Sequence, residues 1–207
     1  MKISKRQLNE LNSRFKDRHP EDVVLWTTQL ERKAVVTTNF RPYEAAILHL
    51  VSQVRPAIPV LWCDTGYNTE HTYRHANEVH KLLNLNLYQY APRQTVAWRE
   101  VEMGIPGIDH PQHILFTEQV KLEPFRRAMA EHNPEIWFTN LRKGQTAHRD
   151  GLGIFSRSKD GILKVSPFFH WSDQDLDSYL SGYGLPNEAR YWDPTKVLEN
   201  RECGLHS

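Results

Sequence analysis

A cysteine near the carboxyl end of the sequence has the clearest potential for chemistry. Cys203 stands in the segment Arg201-Glu202-Cys203-Gly204-Leu205-His206-Ser207. Residues near a chain end seldom form a packed core, so a thiol there is available to react. Arg201 and His206 favour the thiolate, which is the nucleophilic form, and Gly204 allows the segment to swing. Composition alone is equally consistent with a reactive thiol and an incidental one.

The other cysteine, Cys63, lies within an apolar predicted strand, and we expect it to be inert. The chain starts with a basic but not apolar segment, so no export signal is indicated, and two distant cysteines favour reduced thiols over a disulfide. Two thiols cannot supply the four ligands of an iron–sulfur cluster, and no Cys-x-x-Cys pair indicates structural zinc. We therefore expect no bound cofactor and no metal.

A basic stretch follows a predicted buried strand. Its sequence is Leu141-Arg142-Lys143-Gly144-Gln145-Thr146-Ala147-His148-Arg149. Cations in this spacing can hold a multiply charged anion, and arginine can bind it through two parallel hydrogen bonds. The alternative is a solvated basic loop. The pair Arg126-Arg127 is a weaker candidate, because an exposed helix face explains it well.

Two further polar clusters follow predicted strands. Thr37-Thr38-Asn39 precedes a helix, where hydroxyls and backbone N–H groups can bind phosphate, although an ordinary turn is equally compatible and the spacing is not that of a Walker loop. In Asp64-Thr65-Gly66, the carboxylate can accept from a ribose or base, and the glycine lets the backbone approach a ligand. The alternative is a tight turn with Asp64 capping the next helix.

Three histidines on one predicted helix could suggest a metal site. His71 and His75 are four residues apart, and His80 follows. The glutamate of a His-Glu-x-x-His motif is missing and no third ligand is indicated. We therefore favour surface or partly packed histidines.

The order of predicted elements indicates an α/β fold. Short apolar strands alternate with amphipathic helices, which is typical of parallel βαβ units in a three-layer, mostly parallel twisted sheet with helices on both faces. The predicted strands are 34–38, 58–63, 86–90, 135–139 and 162–165. The predicted helices are 4–15, 21–32, 69–83, 117–132 and 172–182. A further helix is predicted to have Pro42 in its first turn and to end near residue 55, and residues 104–112 are predicted to form a loop. Ligands bind beyond the carboxyl ends of such strands, so the three clusters predict one site.

The bulk composition excludes two classes of partner. The 207 residues carry 26 Lys+Arg against 25 Asp+Glu, which argues against nucleic-acid binding driven by net charge. No apolar run approaches the roughly 20 residues that cross a bilayer. We expect a cytoplasmic protein that binds neither nucleic acid nor membrane.

From about Val35 onward, the sequence resembles the 3′-phosphoadenosine 5′-phosphosulfate (PAPS) reductase family, in the Rossmann-like adenine nucleotide α-hydrolase-like superfamily. The most specific signal is the terminal Glu202-Cys203-Gly204-Leu205-His206, which is similar to the catalytic tail of that family. The other matching segments are Ile58-Pro59-Val60 with Asp64-Thr65-Gly66-Tyr67, Lys121-Leu122-Glu123-Pro124, Trp137-Phe138, Leu141-Arg142 and Gln145 to Arg149.

The resemblance implies a two-step reaction. The Cys203 thiolate attacks the sulfur of PAPS, forms S-sulfocysteine and releases adenosine 3′,5′-bisphosphate; a thioredoxin or glutaredoxin thiol then frees sulfite. It also implies a homodimer, and it implies PAPS as substrate, because relatives that use adenosine 5′-phosphosulfate carry extra cluster-binding cysteines. The implied substrate-binding residues are Thr37, Thr38, Asn39, Phe40, Asp64, Thr65, Gly66, Lys121, Arg142, Gln145, Arg149 and His206.

The sequence departs from the family pattern in two places. Arg41 and Pro42 follow Phe40 where the family has glycine, and the segment between Asp193 and Glu202 lacks a Ser-x-Gly-Asp stretch. Two alternatives therefore stay open: a paralogue that binds ATP or another adenine sulfonucleotide, and a non-catalytic nucleotide-binding protein. We expect an N-terminal helical segment (1–32), a nucleotide-binding α/β domain (33–190) and a mobile C-terminal tail (191–207) that carries Cys203.

Overall fold

A six-stranded sheet forms the centre of the fold. The computed structural model describes residues 3–145 and 151–195. The strands lie in the order β3-β2-β1-β4-β6-β5, and every pairing is parallel except that of β5 with β6. They are β1 (Ala34–Thr38), β2 (Pro59–Cys63), β3 (Asn86–Tyr90), β4 (Ile136–Phe138), β5 (Phe155–Arg157) and β6 (Leu163–Val165). The prediction of a mostly parallel sheet is confirmed.

Helices connect these strands, and several begin at the residues that the sequence indicated. Ser4 and Ser172 each form a capping box, in which the hydroxyl and the side chain three residues later satisfy free backbone groups, and Thr69 also caps a helix. The helices are α1 (Lys5–Phe15), α2 (Pro20–Thr28), α3 (Glu44–Val54), α4 (Glu70–Leu83), α5 (Val96–Glu102), α6 (His113–Thr117), α7 (Glu123–His132) and α8 (Asp173–Gly182), with a π-helical turn (Glu118–Leu122) between α6 and α7.

Both faces of the sheet are covered, as predicted. Successive residues of a strand point to opposite faces, so Val36 belongs to the large core that α2, α3, α4 and α8 share, whereas Val35 belongs to the second core under α7. Phe125 and Met129 of α7 complete that second core. Burial on both faces explains why apolar residues predominate on both faces of the central strands β1, β2 and β4.

The structure corrects some predicted boundaries. The second helix ends at Thr28 and not near Arg32, and α5 and α6 were not predicted. Pro42 does not lie in the first turn of α3, which begins at Glu44. A tertiary contact explains the later start. Tyr43 adopts a left-handed conformation and its N–H donates to Asn187 Oδ1 at 2.9 Å, so the chain makes a further turn before the helix begins.

The antiparallel strand β5 was also missed, because three residues are too short for a periodic pattern. Its outer edge is closed by one side chain. Asn12 of α1 donates through Nδ2 to the Phe155 carbonyl and accepts from the Phe155 N–H through Oδ1, both at 2.8 Å. An amide thus takes the place of a neighbouring strand and blocks edge pairing.

Among residues 3–145 and 151–195, none of the helices has both the length and the apolar character needed to cross a bilayer.

Candidate active site

The three predicted clusters meet at one edge of the sheet. Thr38 lies opposite Trp62, and Phe138 lies opposite both Val36 and Val165, so β1, β2, β4 and β6 end side by side. Contacts join the ends of the strands and the segments that follow them. Trp137 Nε1 donates to Thr37 Oγ1 at 2.8 Å, Asn140 Nδ2 donates to the Tyr43 carbonyl at 3.3 Å, and the Phe40 and Trp62 rings lie 5.0 Å apart. The parallel topology therefore builds one site from three segments.

The turn after β1, residues 38–44 (the first turn), is organised around one carboxylate. Glu44 Oε2 accepts from the Thr38 hydroxyl at 2.9 Å, from the Asn39 N–H at 2.7 Å and from the Arg41 N–H at 3.4 Å. Arg41 Nε donates to Oε1 at 2.6 Å. Glu44 is only 4% exposed. The donors expected to hold a ligand phosphate are thus bonded to an anion of the protein itself.

The backbone of the first turn is unusual for its residue types. Phe40 has φ +51° and Tyr43 has φ +67°, a left-handed conformation that costs non-glycine residues energy. Phe40 is nevertheless buried, with its ring edge-on to Trp62, and its N–H donates to Thr38 Oγ1 at 2.9 Å. Packing and this hydrogen bond therefore hold Phe40 in the left-handed conformation.

The turn after β2 is held by Asp64. Its Oδ1 accepts from the Gly66 N–H and the Tyr73 hydroxyl at 2.9 Å each and from Asn68 Nδ2 at 2.8 Å, while Oδ2 accepts from Gln89 Nε2 at 2.7 Å. Burial and the Asp64 carboxylate together raise the pKa of Tyr73. Asp64 is buried and has four donors, so it organises this edge of the site.

Gly66 is required at its position. Its φ is +80°, and a Cβ built there would lie 2.7 Å from Val96 Cγ2 of α5. Thr65, which precedes it, accepts from the Tyr67 N–H at 3.2 Å. The tight turn lets α5 pack against the end of β2.

Lys121 lies in the π-helical turn and is 1% exposed. Its Nζ pairs with Asp193 Oδ2 and donates to Thr195 Oγ1 at 3.1 Å. Burial alone would raise the pKa of Asp193, but the Lys121 ammonium and the Thr195 hydrogen bonds outweigh it and hold that pKa below its usual range. The pair fixes the segment 193–195 to this edge of the sheet.

Arg142 follows β4 and, within the described part of the chain, forms a single ion pair. Its Nη1 pairs with the exposed carboxylate of Asp173 at 2.5 Å, and its guanidinium lies 5.2 Å from the centre of the Tyr43 ring. Its Nε is buried and has no hydrogen-bond partner in the described part of the chain. Gln145 Oε1 accepts from the Arg142 N–H at 3.1 Å and so shapes the loop. Arg142 can donate to a further anion.

The remaining candidate side chains are buried or paired within the protein. Cys63 is buried, and burial raises the pKa of its thiol to about 12, so it stays protonated at neutral pH. His75 is also buried, and burial lowers its pKa. Residues 3–145 and 151–195 contain no group of three His, Cys, Asp or Glu that could hold a metal ion. Arg126 and Arg127 pair with Glu118 and Glu123 along one helical face.

Three predicted site residues, Arg149, Cys203 and His206, lie outside the described residues. Conversely, Glu44 and Asp193 were not singled out from the sequence, although both are central to the observed geometry. An acidic residue in the first turn of a helix is favoured by the helix dipole, which was an available signal for Glu44. Asp193 is 72 positions from Lys121, so only the fold pairs them.

Comparison with known proteins identifies the family. The family model described as phosphoadenosine phosphosulfate reductase domain matches residues 33–191. A phosphoadenosine 5′-phosphosulfate reductase of Vibrio parahaemolyticus is 32% identical over 97% of this chain and 86% of its own, and one of Xanthomonas campestris pv. campestris is 33% identical over 96% and 92%.

A solved structure shares the fold. The phosphoadenylyl-sulfate (PAPS) reductase of Candida auris, in a phosphate complex, superimposes with a TM-score of 0.79 and 22% identity over 90% of both chains. The chain belongs to the phosphoadenosine phosphosulfate reductase family.

Proposed function

We propose that this protein reduces PAPS to sulfite and adenosine 3′,5′-bisphosphate, with Cys203 as the nucleophile. The observation that carries the proposal is the match to PAPS reductases over almost the whole chain. The site geometry supports it, because Arg142 retains a buried donor at the carboxyl edge of a parallel sheet, where nucleotides bind in such folds.

The position of Thr195 supports a role for the tail. Lys121 holds Thr195 at the carboxyl edge of the sheet, and eight residue steps separate Thr195 from Cys203. A chain of that length spans at most about 26–29 Å. The segment is therefore long enough for the proposed attack of Cys203 on a nucleotide bound at this edge.

The proposed chemistry balances in two steps. The Cys203 thiolate forms an S–S bond to the sulfate sulfur of PAPS, and the bond from that sulfur to the bridging phosphate oxygen breaks with its electron pair on the leaving bisphosphate. The first thiolate of a reduced thioredoxin or glutaredoxin then attacks Cys203 Sγ and expels sulfite. Its second thiol resolves the mixed disulfide, which leaves the reductant oxidised and Cys203 reduced. Arg142 stabilises the charge on the leaving group.

Intact-mass spectrometry tests this mechanism. Reduced protein mixed with PAPS, without thioredoxin, should gain the mass of one SO₃ group. Cys203→Ser should show no gain, Cys63→Ser should behave as wild type, and thioredoxin should remove the adduct. A fully folded wild type that binds adenosine 3′,5′-bisphosphate but never forms an adduct would favour the two alternatives, a paralogue with other nucleotide chemistry or a non-catalytic binding protein. A thermal-shift panel of PAPS, adenosine 5′-phosphosulfate and ATP would separate a PAPS reductase from the paralogue, and an activity that Cys203→Ser abolishes would exclude the non-catalytic protein.

We also propose that the protein is a homodimer through an apolar surface on α5 and α6, termed the 98–115 face. Its members are Trp98, Val101, Ile105, Ile114 and Leu115, which are half of the exposed large apolar side chains among the described residues. Val101 and Ile114 are 89% and 81% exposed. The inner sides of the same segment pack on each other through Val96, Met103 and Phe116, so the face is a fixed surface.

The size of the 98–115 face favours a second copy as its partner. The five side chains together expose on the order of 600 Å², at or above the ~300–600 Å² of the largest patch on a typical monomer. A standard interface covers about 800 Å² on each partner, so the 98–115 face supplies most of the area that one partner needs. Val101→Lys and Ile114→Lys should shift the sedimentation coefficient to that of a monomer, whereas Leu82→Lys, at an exposed site on α4, should not. A monomeric wild type at micromolar concentration would contradict the proposal.

Location and domain division are also proposed. The family model begins at residue 33, which supports a separate N-terminal helical segment over 1–32, a nucleotide-binding domain over 33–190 and a tail over 191–207. A mechanism that regenerates a free thiol requires a reducing compartment, which supports a cytoplasmic location. Fractionation of the native host, with detection of the protein by antibody, tests the location.

A further inference from the structure

The first turn contains an anion that belongs to the protein. The Glu44 carboxylate accepts from the Thr38 hydroxyl at 2.9 Å and from the Asn39 N–H at 2.7 Å, and it pairs with Arg41. Hydroxyls and backbone N–H groups that converge before a helix are the donors that bind phosphate and sulfate groups in proteins. The Glu44 carboxylate thus accepts from donors of the kind that bind such a group.

We propose that Glu44 determines nucleotide affinity and specificity by competing with the phosphate or sulfate group of the ligand for the donors of the first turn. The proposal rests on the proposed function, because it names how that same site discriminates among anionic ligands. The Thr38 hydroxyl and the Asn39 backbone N–H each have one hydrogen to donate, so neither group can serve Glu44 and a ligand oxygen at full strength together.

Adjacent unsatisfied atoms indicate that the turn faces a ligand and not a closed core. Asn140 is 6% exposed and its Oδ1 has no partner in the described part of the chain, while its Nδ2 donates to the Tyr43 carbonyl within the first turn. Arg142 Nε, next to the Tyr43 ring, is also buried and has no hydrogen-bond partner among residues 3–145 and 151–195. Buried polar atoms of this kind are costly unless a bound molecule satisfies them.

The competing explanation is that Glu44 only stabilises the start of α3 and the Arg41 side chain. The two explanations predict opposite effects of removing charge. If Glu44 competes with the ligand, Glu44→Gln keeps an oxygen acceptor but removes one negative charge beside the anion, so affinity rises. If Glu44 is only structural, its loss disorders the turn and affinity falls.

A charge cycle of three variants tests the proposal by titration calorimetry with adenosine 3′,5′-bisphosphate. We expect Glu44→Gln to bind about tenfold more tightly than wild type, because a unit of repulsion at close range is removed. Arg41→Gln, which leaves Glu44 uncompensated, should bind about tenfold more weakly. The double variant should lie within about threefold of wild type, because the net charge of the turn is restored.

Neutral adenosine is the matched ligand control, and its affinity should change less than twofold in all variants. Thermal unfolding without ligand establishes that each variant is folded. A folded Glu44→Gln that binds the bisphosphate no more tightly than wild type would overturn the proposal.

A wild type that fails to bind any adenine nucleotide would instead contradict the proposed function. The inference is then tested with inorganic sulfate, which should raise the melting temperature of Glu44→Gln more than that of wild type. An equal rise in both proteins would overturn it.

Discussion

Lys121 and Arg142 are both cationic side chains that the family resemblance assigns to substrate binding, yet their surroundings are opposite. Lys121 is buried and its ammonium is bonded to Asp193 and Thr195. Among the described residues, Arg142 forms one ion pair, with the largely exposed Asp173, and its Nε has no hydrogen-bond partner there. A cation whose charge is neutralised inside the protein is a poor anion receptor, whereas one with a free donor is a good one.

The difference assigns a structural role to Lys121 and a ligand-binding role to Arg142 at the same edge of the sheet. Lys121 fixes residues 193–195, and we propose that Arg142 binds the ligand. The same contrast extends to the first turn, where Glu44 occupies the expected donors. We therefore expect Lys121 variants to act on stability and Arg142 variants to act on catalysis.

The largest expected effect is on the stability of the folded protein. Lys121→Met should lower the free energy of unfolding by about 3–5 kcal/mol, because it leaves the buried Asp193 carboxylate without its counter-charge. Urea denaturation measures the change, and the double variant Lys121→Met with Asp193→Leu should recover much of it. A stable Lys121→Met protein with a raised KM for PAPS would reverse the assignment and make Lys121 a substrate ligand.

The next effect is catalytic. Arg142→Ala should lower kcat/KM for PAPS about 100-fold, as expected when a preorganised donor to a developing anion is removed. Its free energy of unfolding should change by less than about 1 kcal/mol, because Asp173 is largely exposed. Arg142→Lys should restore only part of the activity, since lysine lacks the planar donor arrangement. Unchanged kinetics in Arg142→Ala would remove it from the site.

The Lys121 pair should also be visible in the pH dependence of stability. The pKa of Asp193 is held below its usual value in the folded protein, so its stabilising contribution is present above the unfolded-state pKa of about 3.9 and is lost as pH falls through the folded-state pKa. The stability difference between wild type and Asp193→Asn should therefore be largest above about pH 4 and narrow in more acidic buffer. Denaturation series at pH 3 to 7 would show this, and a constant difference would contradict it.

The smallest expected effect comes from the partner of Arg142. Asp173→Asn should tighten the binding of adenosine 3′,5′-bisphosphate about two- to threefold, because an exposed ion pair that competes with the ligand is removed. The same substitution in an Arg142→Ala background should have no effect on affinity. An equal gain in both backgrounds would show that Asp173 acts through general charge and not through Arg142.

Much of the fold could be predicted because the signals are local. The β-branched run of β1 and the serines that cap α1 and α8 encode their structures within a few residues. Strand β5 and helices α5 and α6 lack such signals and depend on their neighbours. The carboxyl-edge position of the candidate residues followed from alternation of strands and helices, which restricts parallel sheets to few topologies.

The sequence by itself determined the α/β class, the positions of the main strands along the chain, the similarity to PAPS reductases and the candidate residues at the strand ends. Only the tertiary structure decided what those residues bind within the protein. Glu44 closes on Asn39 because two left-handed residues bend the first turn back towards α3, and Lys121 meets Asp193 because distant segments converge at one edge of the sheet. Local patterns specify where a chain bends and which face is apolar, but the pairing of charges depends on distances that exist only after the layers have packed.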